Sequence, residues 1–326
     1  MKGTQDVGSF STCVCQPDKY VMAYSITKPG IYFDIAAADY FADPAPTPSL
    51  TQSIAKTLLD RSPAHARLEH PRLAPPKDGA DEEAEKYVAA QAIGNAAHSM
   101  LIGRGKGLAE ANFDNFRTKA AQEFRALNEA AGRTVVLSKH LEQASNIVTA
   151  TRQQLDAIGW RTAFREGHGE IVIAWQEGDL WLRSMLDWLD DRGDVYDLKT
   201  TGLSVAPHVI GRMAADAGWE IQSAMHERGL NWTDPNRKAR RHYRFVAAEN
   251  EPPYALTAVE MSETWMTMGR KRLNVAVSMW AHCMKTNSWP AYPLHAITPD
   301  YPSYKEASWL TREETEFGSL TVLDAG

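Results

Sequence analysis

The sequence predicts an α/β fold in which a strand-rich centre is flanked by helical segments. Short apolar runs between residues 170 and 201 are separated by polar turns, as β-strands are. Two more runs of this kind occur at residues 243–248 and 254–259. Longer segments, with apolar residues at the three- and four-residue spacing of helices, precede, separate and follow these strands.

The first part of the sequence alternates short elements with irregular segments. Residues 1–29 show no sustained hydrophobic period and are expected to form an irregular lead-in. Two further irregular segments are a connector rich in proline at 43–48 and a loop rich in proline and acidic residues at 69–85. The elements predicted between these segments are a strand at residues 30–33 and helices at 49–60 and 64–68.

A helical part is predicted at residues 82–160, ahead of the main strands. Its three helices are expected at about 82–101, 112–131 and 138–158. On the first of them Gly94 and His98 are four residues apart and share one face. A glycine there lets the helix approach a neighbouring backbone closely. A single histidine is more often a packed or surface residue than a metal ligand, so His98 carries little weight by itself.

The strand-rich centre is predicted at residues 168–260. Its strands are expected at 171–175, 180–189, 195–200, 243–248 and 254–259. Between the third and the fourth strand a helix at 209–228 carries Trp219, Gln222 and His226 at helical spacing.

A long helix at 262–287 completes the predicted organisation. We expect a single domain over residues 30–295 and a loosely held tail at 296–326.

The composition limits the classes of function. The chain has 326 residues and a formal net charge of −6, whereas a protein that binds nucleic acid by charge alone would be basic. Any contact with DNA must therefore be local. No apolar run is long enough to span a membrane, and the first residues lack the apolar core of a signal peptide. The three cysteines provide no disulfide framework, which fits a cytoplasmic protein, and are too few for a four-cysteine iron–sulfur cluster.

The pattern that points to chemistry is Asp187 followed by Asp197-Leu198-Lys199. Alternation along a strand places Asp197 and Lys199 on one face and Leu198 on the other. If the two strands pair through the turn at 190–193, the Asp187 carboxylate comes close to that of Asp197. Two close carboxylates need a compensating cation, and Mg²⁺ prefers oxygen ligands. An ordinary hairpin with solvated charges has the same pattern, so both interpretations stay open at this point.

The densest basic run of the sequence is at residues 237–244. A solvated loop explains it equally well, but in an acidic protein it is the obvious place for phosphates to bind. The cations expected to contact DNA there are Arg237, Lys238, Arg240 and Arg241.

The stretch LRSMLDWLDDRGDVYDLKTT resembles the core of the PD-(D/E)XK nuclease superfamily. It is most similar to the RecE-type (exonuclease VIII-like) branch, whose architecture is related to lambda exonuclease and the RecB nuclease domain. The supporting segments occur in the expected order: PSLTQS at 48–53, RSPA at 61–64, IGNAAH at 93–98, Glu170, WEIQ at 219–222, EPPY at 251–254 and WPAY at 289–292. The resemblance covers residues 30 to 294 and implies a restriction-endonuclease-like core, with a central mixed β-sheet flanked by helices and additional N-terminal helical elements.

The resemblance also implies roles for individual residues. Asp187 and Asp197 would bind Mg²⁺, for which Mn²⁺ could substitute, and Leu198 would add its backbone carbonyl. His98 would be a further metal ligand, and Lys199 would position the attacking water. The remaining implied residues are Glu170, a further acidic member of the site, and Gln222, which would lie beside the site on the helix that follows the strands.

Two departures from the family pattern concern single residues. The metal motif is Asp-Leu-Lys rather than Glu-x-Lys, which the superfamily tolerates. His226 occupies a position that commonly holds tyrosine, so its role, with DNA contact as one candidate, is open. Arg183 is a candidate for holding a 5′ phosphate.

The activity implied is Mg²⁺-dependent exonuclease digestion of linear, double-stranded DNA in phage-type recombination or DNA repair. A homo-oligomeric ring and a single-strand annealing protein as partner are expected with it, in the cytoplasm of a bacterium or a phage-infected cell. Three alternatives stay open: a nuclease-fold protein that binds DNA without cutting it, an endonuclease or nickase on the same fold, and an unrelated metal-dependent hydrolase. The intact Asp187, Asp197 and Lys199 disfavour the first, and the lack of an H-x-H-x-D motif disfavours the last.

Overall fold

The structure is a computed structural model that describes residues 24–75 and 88–317. The chain divides into two compact units, Met1–Pro290 and Ala291–Gly326. Cys13, Cys15 and the first residues of the helix predicted from residue 82 lie outside the described residues. No helix in the described part is long and apolar enough to cross a membrane.

The larger unit contains strands and helices, labelled here in chain order. Its strands are β1 Gly30–Tyr32, β2 Leu108–Ala111, β3 Thr134–Leu137, β4 His168–Glu177, β5 Leu180–Leu189, β6 Val195–Thr201, β7 Tyr243–Glu249 and β8 Leu256–Glu260. Its helices are α1 Ala37–Phe41, α2 Gln52–Asp60, α3 Pro63–Glu69, α4 Ala89–Ile102, α5 Lys119–Ala130, α6 Ser138–Ala157, α7 Pro207–Ala217, α8 Trp219–Thr233 and α9 Glu263–Thr286. The smaller unit contains α10 Ser303–Glu316.

Six strands form the central sheet, in the order β1-β4-β5-β6-β7-β8. Neighbours are antiparallel except β6 and β7, which are parallel and joined by the crossover through α7 and α8. The parallel pair β2–β3 forms a separate small sheet. The predicted fold class, a central mixed sheet flanked by helices, is confirmed.

The two faces of the sheet pack against different helices. Trp175, Phe245 and Trp280 belong to the core between one face and α2, α8 and α9. Leu198, Val246 and Ile147 belong to the core on the other face, which α4 and α6 cover. The predicted alternation along β6 is confirmed, because Leu198 packs on the second face while Lys199 and Asp197 form an ion pair away from that core.

Strand β5 changes its partner on one edge. Next to the turn, Trp188 and Leu189 pair with Tyr196 and Val195 of β6, and no further residues of the two strands pair. At the other end of β5, Leu50 forms an isolated parallel bridge to Leu182. We call the open edge of β5 between these two pairings, at residues 184–187, the β5 gap.

The main strands agree closely with the sequence prediction, while the region before them differs. The helix predicted at 112–131 begins only at Lys119, after Thr118 caps it by accepting the N–H of Ala121. Strands β2 and β3 were not predicted, since each has four residues and they pair only with one another across α5.

One prediction about the later part of the chain was also wrong in detail. The helix predicted at 209–228 is two helices, because Gly218 takes a left-handed conformation (φ 76°) that ends α7 and starts α8. The predicted loose tail contains α10.

Candidate active site

The ends of β5 and β6 bring two carboxylates together. The register of the two strands would place Asp187 opposite Asp197, one step beyond the last pair, Trp188 and Tyr196. The ladder stops there, and the Leu198 N–H donates instead to Asp187 Oδ2, at 3.2 Å. Asp187 thus occupies the β5 gap beside the β6 backbone.

Helix α4 brings His98 to these carboxylates. A Cβ atom on Gly94 would lie 2.5 Å from Thr200 Oγ1, so a larger residue would require the Thr200 side chain to rotate or α4 to move away from β6. His98 Nε2 is 3.2 Å from Asp187 Oδ2, and its Nδ1 is 3.9 Å from Glu170 Oε1. Gly94 and His98, which share one face of α4, therefore have related positions: Gly94 lies where the helix approaches β6, and His98 contacts the carboxylates from the same face.

Glu170 has an unusual backbone conformation. Its φ is 50°, in the left-handed region that non-glycine residues rarely adopt, and it interrupts the pairing of β4 with β5. Such strain persists where the surrounding structure enforces it, and it is frequent at functional sites. Here it places the Glu170 carboxylate next to His98.

Asp197 is held by two partners. Lys199 Nζ is 2.6 Å from Asp197 Oδ1, and Gln222 Nε2 on α8 donates to Asp197 Oδ2 at 2.5 Å. Helix α8 packs against β7, the neighbour of β6, where the ring of Trp219 stacks on that of Phe245 with a centroid distance of 4.5 Å.

The charges of the site shift one another. Burial, followed by the charge of Asp187, raises the pKa of Asp197 to about 6. Burial alone would raise the pKa of Asp187 too, but His98, Lys199 and the Leu198 N–H outweigh it and lower that pKa. Burial disfavours the charged forms of His98 and Lys199, yet the neighbouring carboxylates prevail and raise the pKa of both. Lys199 therefore remains an ammonium group that donates hydrogen bonds.

Glu170 adds to the accumulated acidity. Burial raises its pKa above the ordinary range, the charge of Asp187 acts in the same direction, and His98 acts against both.

The donor set fits a hard divalent cation. The half-buried carboxylate of Asp187 and the buried carboxylate of Asp197, the second with a raised pKa, indicate acidity that one ammonium does not fully offset. The groups that could hold the ion are these carboxylates, His98 Nε2 and the Leu198 carbonyl. Within residues 24–75 and 88–317, no three His, Cys, Asp or Glu side chains already stand together as a complete ligand cluster. Asp197 instead engages Lys199 and Gln222.

A groove of about 800 Å³ opens onto these groups. Its lining includes His98, Glu170, Asp187 and Leu198. It also includes Arg104 and Lys106, which were not predicted as site residues. The signal in the sequence was the run Gly103-Arg104-Gly105-Lys106-Gly107, in which cations alternate with glycines.

The structure does not bring Arg183 and His226 to a DNA-accessible surface, so their predicted DNA contacts are not supported. Arg183 is 3 % exposed and bonds Asp43 Oδ1 at 2.7 Å. His226 is 1 % exposed, contacts the Met185 backbone in the β5 gap, and burial lowers its pKa to about 4. His226, at the position where the resembled family commonly has tyrosine, is therefore a neutral, buried residue of α8.

The basic run lies immediately before β7, at the start of the parallel strand pair. Tyr243 is in register with Val195, so the residues before β7 adjoin the start of β6 rather than Asp197 and Lys199. The cations of this run have partners: Arg237 with the Arg192 carbonyl, Arg240 with Glu263 at 3.9 Å and Arg241 with Asn231 at 3.1 Å. Lys238 lines the same cavity of about 290 Å³ as these three cations.

Comparison with known proteins identifies the family and agrees with the fold. The family model of a PDDEXK-like domain of unknown function (DUF3799) matches residues 72–296, about two thirds of the chain. No curated protein matches significantly. A crystal structure from Eubacterium rectale, described as a candidate exonuclease, has a TM-score of 0.51 at 9 % identity over 80 % of this chain and 93 % of that one. At this identity the likeness concerns the fold alone. The chain belongs to the DUF3799 family of PDDEXK-like domains and has the fold of a PD-(D/E)XK nuclease.

Proposed function

We propose that the protein is a metal-dependent exodeoxyribonuclease that hydrolyses linear, double-stranded DNA from an end. The observation that carries this proposal is the position of Asp187, which lines a solvent-open groove, contacts His98 and the Leu198 N–H, and adjoins the ion pair of Asp197 with Lys199 on the neighbouring strand. A Mg²⁺ ion held by these groups would supply positive charge to the phosphate and acidify a bound water.

The protein's own residues have separable tasks in this proposal. Lys199, an ammonium group with a raised pKa, donates hydrogen bonds to the attacking water or to a phosphate oxygen. Gln222 holds Asp197 in place through its amide N–H. His98 and the Leu198 N–H hold Asp187 from two sides. Three elements, α4, α8 and the β5–β6 pair, therefore fix the carboxylates before DNA arrives.

The biological setting is part of the proposal. The resemblance to RecE-type enzymes supports a role in phage-type recombination or DNA repair, with an annealing protein as partner. The structural relative described as a candidate exonuclease is consistent with digestion from an end. A homo-oligomeric ring would suit an acidic protein, because only its inner surface would need to attract DNA.

The test compares a linear duplex, labelled at its 5′ or 3′ end, with a covalently closed circle of the same sequence. Each is incubated with the purified protein in Mg²⁺, in Mn²⁺ and in EDTA. The Lys199→Ala variant, purified in parallel, controls for contaminating nuclease.

We expect loss of the linear DNA in Mg²⁺ only with the unaltered protein, while the circle survives. The label then gives the polarity of digestion. Cleavage of the circle would replace the exonuclease by an endonuclease. Survival of both DNAs in both metals would reject catalysis and favour a nuclease-fold protein that only binds DNA.

A further inference from the structure

The loop Gly103–Gly107, between α4 and β2, borders the groove of the candidate active site. We call it the GRGKG loop. Of the described residues that line the groove, Arg104 and Lys106 are the only lysines or arginines, while Glu170 and Asp187 are its acids. Apart from the proposed metal ion and Lys199, this loop is therefore where the groove offers positive charge to a polyanion.

Hydrogen bonds fix the loop at both ends. The Gly103 N–H donates to the Ser99 carbonyl at 2.9 Å, and Gly103 ends α4 in a left-handed conformation (φ 71°). The Gly107 carbonyl accepts the N–H of Thr134, on β3, at 2.9 Å. A short loop held in this way keeps its two cations at the groove with little entropy left to lose on binding.

The middle of the loop lies against the acids. Gly105 has a φ of 105°, and a Cβ atom at this position would be 3.5 Å from Glu170 Oε1 and 3.8 Å from Ser99 Oγ. The loop therefore passes beside the Glu170 carboxylate, which in turn faces His98, one of the groups proposed to hold the metal.

The two cations are available to a ligand. Lys106 makes no ion pair with a carboxylate of the residues that the structure describes, and it lines both the groove and a neighbouring cavity that also contains Arg133. Arg104 bonds the Phe33 carbonyl and lies 4.0 Å from Asp34, a side chain that is 91 % exposed. An exposed pair of this length contributes little and yields readily to a phosphate.

We propose that the GRGKG loop is a phosphate clamp in which Arg104 and Lys106 hold the backbone of the DNA strand that enters the groove. This inference rests on the proposed nuclease function and names where that substrate is held. The phosphate could be the terminal one or one within the strand, and binding of duplexes with different ends distinguishes the two.

The test measures binding of a short labelled duplex by fluorescence anisotropy at several salt concentrations in Mg²⁺. All proteins carry Lys199→Ala, so that the DNA stays intact. The clamp variant adds Arg104→Ala and Lys106→Ala, and a matched control adds Lys119→Ala and Arg212→Ala. The control removes the same charge from side chains that are each 90 % exposed and lie on α5 and α7.

We expect the slope of log K against log salt, which is negative, to become less steep by about two in the clamp variant and to stay unchanged in the control. Each duplex is prepared with 5′-phosphate and with 5′-hydroxyl ends. A larger loss for the phosphate ends assigns the terminal phosphate, and an equal loss assigns phosphates within the strand. In the cleavage assay with Lys199 intact, the clamp variant should raise KM more than it lowers kcat.

The experiments distinguish a failure of the clamp proposal from a failure of the nuclease proposal. If the clamp variant binds like its control while the unaltered protein cuts DNA, the clamp is wrong and the nuclease stands. If the unaltered protein cuts no DNA and the Lys199→Ala reference binds none, both fall. Circular dichroism melts establish that the loop variants are folded.

Discussion

Asp197 is almost fully buried near a second carboxylate, and the cost of this arrangement appears in its raised pKa. One ammonium, that of Lys199, lies within 2.6 Å. A residue placed so unfavourably for folding is best explained by a ligand that uses it. The buried carboxylate charges, which lower the stability of the fold when no cation compensates them, would contribute favourably once a divalent cation is bound.

Metal binding should therefore be visible in thermal stability. We expect Mg²⁺ to raise the melting temperature of the unaltered protein, because a ligand that binds only the folded state stabilises it by mass action. Asp187→Asn should abolish most of this increase, whereas Asp216→Asn, which changes an exposed residue of α7, should preserve it. Scanning fluorimetry at increasing Mg²⁺ measures both, and an equal metal response in the two variants would remove Asp187 from the ligand set.

Lys199→Ala should reduce cleavage by at least roughly 100-fold, since it deletes a donor that acts on charge developing in the transition state. DNA affinity should change little and the protein should stay folded, because Lys199 belongs to neither core, but the melting temperature should fall because the buried Asp197 loses its ion-pair partner. Lys285→Ala, an exposed lysine in the last turn of α9, is the matched control. Single-turnover cleavage and equilibrium binding separate the two effects, and near-normal turnover in Lys199→Ala would contradict its role.

Among the elements, the crossing of α8 and α9 depends on one glycine. A Cβ atom at Gly269 would lie 2.1 Å from the Glu220 carbonyl oxygen, so Gly269→Ala must push the two helices apart. We expect a loss of about 1–3 kcal/mol in unfolding free energy. Gly211→Ala on α7 should instead be neutral or stabilising by up to about 1 kcal/mol, because a Cβ atom there would meet no described atom within 4 Å apart from its chain neighbours and its own helix. Urea denaturation compares them, and equal stability of both variants would refute the close crossing.

The segment between α1 and α2 is tied to β5 by a buried ion pair. Burial alone would raise the pKa of Asp43, but hydrogen bonds from His70 and Ser49 and the charge of Arg183 outweigh it and lower the pKa. A lowered pKa contributes stability that is present above the unfolded-state value, about 4, and is lost as the pH falls through the folded-state value.

Asp43→Asn should therefore cost about 3–5 kcal/mol at pH 7, because it leaves the Arg183 charge buried without its partner. The difference from the unaltered protein should shrink below pH 4. The exposed pair of Asp156 with Arg165 offers the control: Asp156→Asn should change the unfolding free energy little, because solvent screens an exposed ion pair. Denaturant unfolding at several pH values would contradict this if the Asp43→Asn difference were the same throughout.

The sequence was most informative where patterns are local. The strands β5 and β6 were predicted nearly to the residue and β4 at its centre only, since alternation and turn residues determine them without distant contacts. Strands β2 and β3 were missed because only their pairing across α5 makes them strands. The burial of Arg183 could not be predicted either, since its partner Asp43 lies 140 positions away in the chain.

For the molecule as a whole, charge distribution bears on assembly. The formal net charge is −6, while the groove cations and the run at 237–244 are local exceptions. We expect the purified protein to be an oligomer, with a ring-shaped arrangement that encloses the DNA path. Light scattering coupled to size exclusion should give a mass that is a multiple of one chain, and a single-chain mass at micromolar concentrations would contradict this expectation.

The parallel neighbour of β6 has a consequence for how the protein is made. Asp187, Asp197 and Lys199 are synthesised before α8, which carries Gln222, and before β7, which pairs with β6. Parallel pairing across the crossover forms late, since the loop must close before its contacts are gained. On the proposed function, a chain still emerging from the ribosome contains the reactive residues in unassembled form. Cellular DNA is then exposed to the nuclease only after translation has passed β7.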